Sequence, residues 1–224
     1  MCQRYALPDQ VTVEREFMPS RVWWSFTPKY NVAAKQYVPA MRWHDGQSEA
    51  VMMRWGLIPS SAKTCTGEFP LTVDADGIME SPIFRKPWLE GQRCILPMCG
   101  FYAWQLTNRR YRQPHFVHLL DRSVFGIAAI WDRFVSEDDD VIESCSIICV
   151  PSNDLMIRIA NTDGRMPAIL RRKDCQAWLR GTPVAAKATL HPYNKSGMQA
   201  YPVSPRINST LPDDPGLIQP AEYA

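Results

Sequence analysis

Short apolar runs separated by turn-forming clusters dominate the chain, and helical periodicity is scarce. Over 35–43 and 49–55, apolar, aromatic and β-branched residues interleave with polar ones, the pattern of half-buried strands. Between them His44-Asp45-Gly46-Gln47 reads as a hairpin turn, because Asp-Gly tolerates the positive φ that a tight connection needs. The same pattern predicts strands over 21–25, 93–96, 101–105, 115–120, 124–131 and 144–150. Glu137-Asp138-Asp139-Asp140 is expected as a solvated loop joining the last two. Helices are predicted over 82–88, 152–159 and 173–180, the last stopping at Gly181. Proline and turn residues accumulate from Tyr201 onward, so the tail is expected to wrap an existing body. With no internal repeat or low-complexity linker, residues 1–224 read as one domain. Many short strands and few helices imply the α+β class, built around a curved sheet or open barrel.

Composition narrows the function classes. A chain of 224 residues, 46% hydrophobic and 21% charged, is long and apolar enough to bury a substantial core. No apolar run approaches the roughly 18 residues of a membrane span, and no basic-then-apolar leader is present. A cytoplasmic protein without a membrane partner is the expectation. Cys2, Cys65, Cys94, Cys99, Cys145, Cys149 and Cys175 are odd in number and irregularly spaced, unlike a secreted disulfide framework. The net charge of +2 permits a local basic groove without demanding one. Eight tryptophans suit base stacking and core packing equally.

Common cofactor and metal motifs are missing. There is no Gly-rich phosphate loop, no Cys-x-x-Cys and no His-Glu-x-x-His. His115 and His118 are three apart in a predicted strand, which points them to opposite faces and makes a poor metal pair. Neither a metal nor an organic cofactor is expected. The distinctive chemistry lies at Cys2. Removal of Met1 would leave a terminal residue carrying an amine and a thiol on adjacent carbons. Their reference pKa values, about 7.7–8.0 and about 8.5, keep both partly nucleophilic near neutrality. Such an aminothiol traps an aldehyde, first as an imine and then as a five-membered thiazolidine.

A set of phrases extends this reading along the chain: Met1-Cys2-Gln3-Arg4-Tyr5, Tyr30-Asn31-Val32-Ala33, Arg54-Trp55-Gly56-Leu57-Ile58-Pro59-Ser60 and Phe84-Arg85-Lys86-Pro87-Trp88. Arg93-Cys94-Ile95-Leu96-Pro97, Gly100-Phe101-Tyr102-Ala103-Trp104, Ala128-Ala129-Ile130-Trp131-Asp132, Arg165-Met166-Pro167-Ala168-Ile169-Leu170 and Tyr201-Pro202-Val203-Ser204 follow. In this order the chain resembles the SRAP family, the SOS-response-associated peptidases or abasic-site processing proteins, over nearly its full length. The resemblance implies one α+β domain with a barrel-like core and a basic groove leading to the mature N-terminus. It implies binding to single-stranded DNA at abasic sites, where Cys2 captures the ring-opened sugar aldehyde as a thiazolidine. It also explains the peptidase label, since the terminus must first be uncovered. By position in the matching phrases, Arg4, Asn31, Arg85 and Arg165 are the candidate polar lining for DNA, and Trp55 a candidate stacking ring. Asn31 and Arg165 also suit turn and ion-pair roles, and Trp55 a packing anchor.

Several positions depart from the family pattern. The usual glutamate in Gly-Phe-Tyr-Glu-Trp, a proton-transfer group in imine formation, is Ala103 here. The usual histidine before Asn-Arg-Met-Pro falls at Ala160, with Thr162-Asp163-Gly164 inserted before Arg165. Loss of a general acid–base group typically costs on the order of 10²–10⁴ in rate. An expected arginine is Asp74, an expected tryptophan is Ser61, and the usual glycine at position three is Gln3. Asp74, Asp76 and Asp163 are candidate substitute acids. Three functional readings follow: an abasic-site crosslinking protein acting through Cys2, a degenerate single-stranded DNA-binding module on the same fold, and an N-terminal-nucleophile amidohydrolase. The last is weakest, because no set of oxyanion donors is recognisable.

Overall fold

The Asp45-Gly46 turn brings together two strands of matched length, and the rest of the architecture grows outward from such pairs. The computed structural model describes residues 3–107, 111–160 and 164–221. Its strands are β1 (Arg4–Leu7), β2 (Arg21–Val22), β3 (Lys29–Ala33), β4 (Tyr37–His44), β5 (Gln47–Trp55), β6 (Thr72–Asp74) and β7 (Arg93–Met98). The second half adds β8 (Gly100–Leu106), β9 (Arg112–Leu119), β10 (Phe125–Val135), β11 (Val141–Pro151), β12 (Arg165–Pro167), β13 (Ile169–Leu170) and β14 (Met198–Pro202). The α-helices are α1 (Gln10–Phe17), α2 (Pro82–Leu89), α3 (Asp154–Ile159), α4 (Cys175–Arg180) and α5 (Pro183–Lys187).

Five strands close into a ring. β5 pairs with β4, β4 with β7, β7 with β10 and β10 with β11, all antiparallel. β11 then returns to β5 in parallel, aligning Ser144 with Arg54 and Cys145 with Trp55. Closure removes exposed edges and lets strands bury both faces. That is why β10 is continuously buried from Phe125 to Asp132. The expected open barrel is therefore a closed one, within the α+β class read from the sequence.

A second sheet, in the order β14-β9-β8-β1-β3, lies against this barrel. Its pairs are antiparallel throughout. The chain enters it from β7 across Cys99, so one nearly continuous stretch serves both sheets. Gly100 marks the crossing: a Cβ there would lie 2.1 Å from the Phe116 ring, closer than atoms can pack. The aromatic face of this sheet, built from Tyr102, Phe116 and Tyr201, is covered by Val203, Ile207 and Leu217 from the tail. The tail is pinned by a Val203–Pro220 bridge and by the Tyr201 hydroxyl donating to the Ile218 carbonyl at 2.7 Å.

Helix starts follow local capping chemistry. Asn153 accepts from the Met156 amide at 3.0 Å, so α3 begins at Asp154. Asp9 accepts from the Thr12 amide at 2.9 Å and opens α1, a helix absent from the sequence reading. Among the described residues, no helix is long and apolar enough to cross a membrane.

Candidate functional site

β1 is the central feature of the site because it carries the residues that follow Cys2. Tyr5 lies opposite Phe101 and Ala6 opposite Gly100, so the Arg4 end of β1 runs alongside Tyr102 and Ala103 of β8. Strand alternation then sorts the side chains. Tyr5 turns toward the main core and meets the Trp55 ring edge-on, with centroids 5.3 Å apart. Arg4 turns the other way, toward Asn31 and the tail.

Arg4 and Asn31 are brought into contact. The Arg4 Nη1 donates to Asn31 Oδ1 at 2.7 Å. The Asn31 amide nitrogen donates to the carbonyls of Pro212 at 2.7 Å and Ser209 at 2.9 Å. Its backbone N–H, with that of Tyr30, donates to Asp213 Oδ1. Asn31 is thus buried with both side-chain polar atoms used, as a clasp between β3 and the tail rather than a turn residue. It orients Arg4, which is half-buried. Burial lowers the Arg4 guanidinium from its ordinary value, and neighbouring Tyr102 acts in the opposite direction.

Trp55 is fully buried. Its Nε1 donates to the Leu71 carbonyl at 3.0 Å, and the ring supports Tyr5 from below. It has no face open for stacking on a base, so burial gives it the packing-anchor role. Arg85 is exposed on α2, one turn after the N-cap position Ser81, and forms no ion pair among the described residues. Arg165 lies at the start of β12. Its Nε is 3.5 Å from Asp74 Oδ2 and its Nη1 3.7 Å from Asp76 Oδ2. The Asp74 Oδ1 is buried with no hydrogen-bond partner among the described residues. The charge reversal at Asp74 therefore partly neutralises Arg165.

Cys2 and Asp163 lie outside the described residues, as do Asn161 and Thr162. Ala103 and Ala160 are both buried in the main core. The C-terminal end of α3 reaches this face, where Gln105 Nε2 donates to the Arg158 carbonyl at 3.0 Å. Nothing titratable projects from either alanine. His115, read from the sequence only as half of a poor metal pair, is placed by β9 directly across from Ala103. Its signal was present as a histidine amid strand-forming residues, but its partner becomes visible only with the β8–β9 register. His118 packs between Phe116 and Tyr201 on the opposite face, as the spacing required. Among the described residues no cluster of three or more His, Cys, Asp or Glu side chains is arranged to hold a metal.

Comparison with known proteins places this arrangement. The family model described as SOS response associated peptidase (SRAP) matches residues 1–210. Abasic site processing protein YoqW of Bacillus subtilis is 31% identical, covering 98% of this chain and 99% of its own. Abasic site processing protein HMCES of Mus musculus is 29% identical over 88% of this chain, and the match spans 66% of that longer protein. A crystal structure of a Bacteroides thetaiotaomicron protein superposes with a TM-score of 0.78 at 30% identity, covering 86% of this chain and 85% of the other. With the match running from the N-terminal residues through the barrel and into the tail that clasps Asn31, this chain belongs to the SRAP family.

Proposed function

We propose that the chain processes abasic sites in single-stranded DNA, and that Cys2, once Met1 is removed, forms a thiazolidine with the sugar aldehyde. The observation that carries this reading is the full-length relationship to proteins named for abasic-site processing, with Cys2 separated from β1 by Gln3 alone. The chemistry balances without a cofactor. The Cys2 amine adds to the aldehyde carbon, the resulting hydroxyl leaves as water, and the thiolate closes on the imine carbon. One water is released and no electrons are exchanged. Holding amine, thiol and aldehyde together converts a bimolecular condensation into an effectively intramolecular one.

Arg4, Arg85 and Arg165 are the cations assigned to the phosphates, with Asn31 orienting Arg4 and Trp55 supporting Tyr5. Among the described residues none of the six cysteines, Cys65, Cys94, Cys99, Cys145, Cys149 and Cys175, is in a disulfide, which suits action in the reducing cytoplasm. The test is the intact mass of the protein before and after incubation with an abasic single-stranded oligonucleotide. The expected result is loss of Met1, then a stable adduct equal to protein plus oligonucleotide minus one water. Cys2→Ala abolishes it.

A second reading has its own observation: Ala103 and Ala160 leave the core face without the usual acid–base side chains. A degenerate binding module would hold damaged and intact single strands equally, with no adduct from a mature Cys2 terminus.

A further inference from the structure

We propose that His115 is the proton-transfer residue for imine formation at Cys2, standing in from the neighbouring strand for the side chain that Ala103 does not supply. This rests on the crosslinking reading given above. Thiazolidine formation moves protons at defined steps. The amine must shed one as it attacks the carbonyl, and the carbinolamine hydroxyl must gain one to leave as water. The thiol must also lose one before ring closure. A positioned group with a pKa near the working pH accelerates each of these transfers.

The register brings His115 to the right face. Ala103 of β8 lies directly opposite His115 of β9, and opposite residues of an antiparallel pair project to the same side. That side carries Phe101 and Val117, both in the main core, whereas Tyr102 and Phe116 belong to the aromatic face. Continuing the β1–β8 register from Tyr5–Phe101 brings Gln3, the residue next to Cys2, into the column of Ala103. Ala103 and His115 are paired across β8 and β9, and Gln3, just ahead of β1, falls in the same column when the register is extended. Neighbouring strands are about 4.8 Å apart, so roughly two spacings separate the Gln3 and His115 backbones. Between them stands only the methyl group of Ala103.

The protonation state fits the task. His115 Nδ1 lies 3.2 Å from the Gln113 carbonyl, which only accepts, so the proton sits on Nδ1. Nε2 keeps its lone pair and has no hydrogen-bond partner among the described residues. Burial lowers the imidazole pKa from its ordinary value, while the bond to Gln113 raises it in part. The ring is therefore neutral near pH 7, able to accept a proton at Nε2 and return it to the departing hydroxyl. The alternative acid, Asp74, is held by Arg165 on the β6–β12 side. His118 faces the tail.

The test uses full-length protein with Met1 removal verified by mass, and an abasic single-stranded oligonucleotide beside an intact one. His115→Gln is expected to slow adduct formation about 10²-fold, with affinity for the intact oligonucleotide and thermal stability unchanged. His115→Ala is expected to regain rate when free imidazole is added, a rescue that a purely structural role would not produce. An unchanged rate in His115→Gln overturns the proposal while the crosslinking reading stands. So does a slow rate that tracks lost DNA affinity or stability, or one that imidazole does not restore. Absence of any adduct from the mature wild-type protein removes the crosslinking reading itself, and this role with it.

Discussion

Glu143 sits between two guanidinium groups at the wall of the barrel. Its Oε1 accepts from Arg42 Nη1 at 2.7 Å and from Arg133 Nη2 at 2.8 Å. Arg42 in turn donates from Nε to Glu49 at 2.9 Å and lies over the Trp131 ring. Burial alone would raise the Glu143 carboxyl, but the two arginines more than offset it and hold it below the usual carboxylate range. Removing one partner of a buried pair strands the other charge, at a cost of about 3–5 kcal/mol. Glu49 still balances Arg42 in Glu143→Gln, so the expected loss is nearer the lower end, about 3 kcal/mol by urea denaturation. A folded-state pKa below the unfolded one contributes stability that is present above about 4.5 and lost as pH falls through the lower value. The substitution should therefore flatten the acid limb of the stability curve. An acid limb of unchanged steepness would show that other carboxylates govern it.

Elements depend on single positions where two backbones or rings come close. Gly100 meets the Phe116 ring so tightly that Gly100→Ala must displace that buried ring. Overpacking of this kind typically costs about 1–3 kcal/mol, and we expect at least 2 kcal/mol by chemical denaturation. At the sheet edge, Asp213 accepts two consecutive β3 amides, those of Tyr30 and Asn31. Asp213→Ala should expose that edge. Faster hydrogen exchange is expected in β3 and the tail, with barrel strands β7 and β10 unchanged; slow exchange at β3 would count against the clasp. These same elements explain what could be read from sequence. The β4–β5 hairpin was legible because Asp45 and Gly46 adopt the positive φ values their types favour. Strand β1 was not, because Arg-Tyr-Ala-Leu is short and its last three residues are buried without alternation. Helix α1 was hidden by Val11, Thr12 and Val13, and exists because Asp9 caps it. Barrel closure by β11 on β5, and the pairing of Ala103 with His115, are contacts between distant segments that no local pattern encodes. Motif order located Cys2 and the departures at Ala103 and Ala160, but burial decided that Trp55 and Asn31 belong to the scaffold.

At the scale of the whole molecule, the modest charge limits how DNA can be held. The net charge is only +2, so affinity must come from a few placed cations rather than a broad positive field. Each neutralised phosphate of a single strand contributes about −0.7 to the slope of log K against log salt concentration. The three proposed contacts, from Arg4, Arg85 and Arg165, give an expected slope of about −2. These cations are not equivalent. Arg85 is exposed with no ion-pair partner among the described residues, Arg4 is tethered through Asn31, and Arg165 faces Asp74 and Asp76. Arg85→Ala should therefore lower the slope by about 0.7 and weaken damaged and intact strands alike. Asp74→Asn should do the reverse at Arg165, because a phosphate no longer competes with that carboxylate for the guanidinium. We expect tighter binding to an intact single-stranded oligonucleotide at low salt, with the gain fading as salt screens it. A fluorescence anisotropy titration across several salt concentrations reads both effects. Unchanged affinity in Asp74→Asn would remove Arg165 from the DNA path and leave its ion pairs as a brace between β6 and β12.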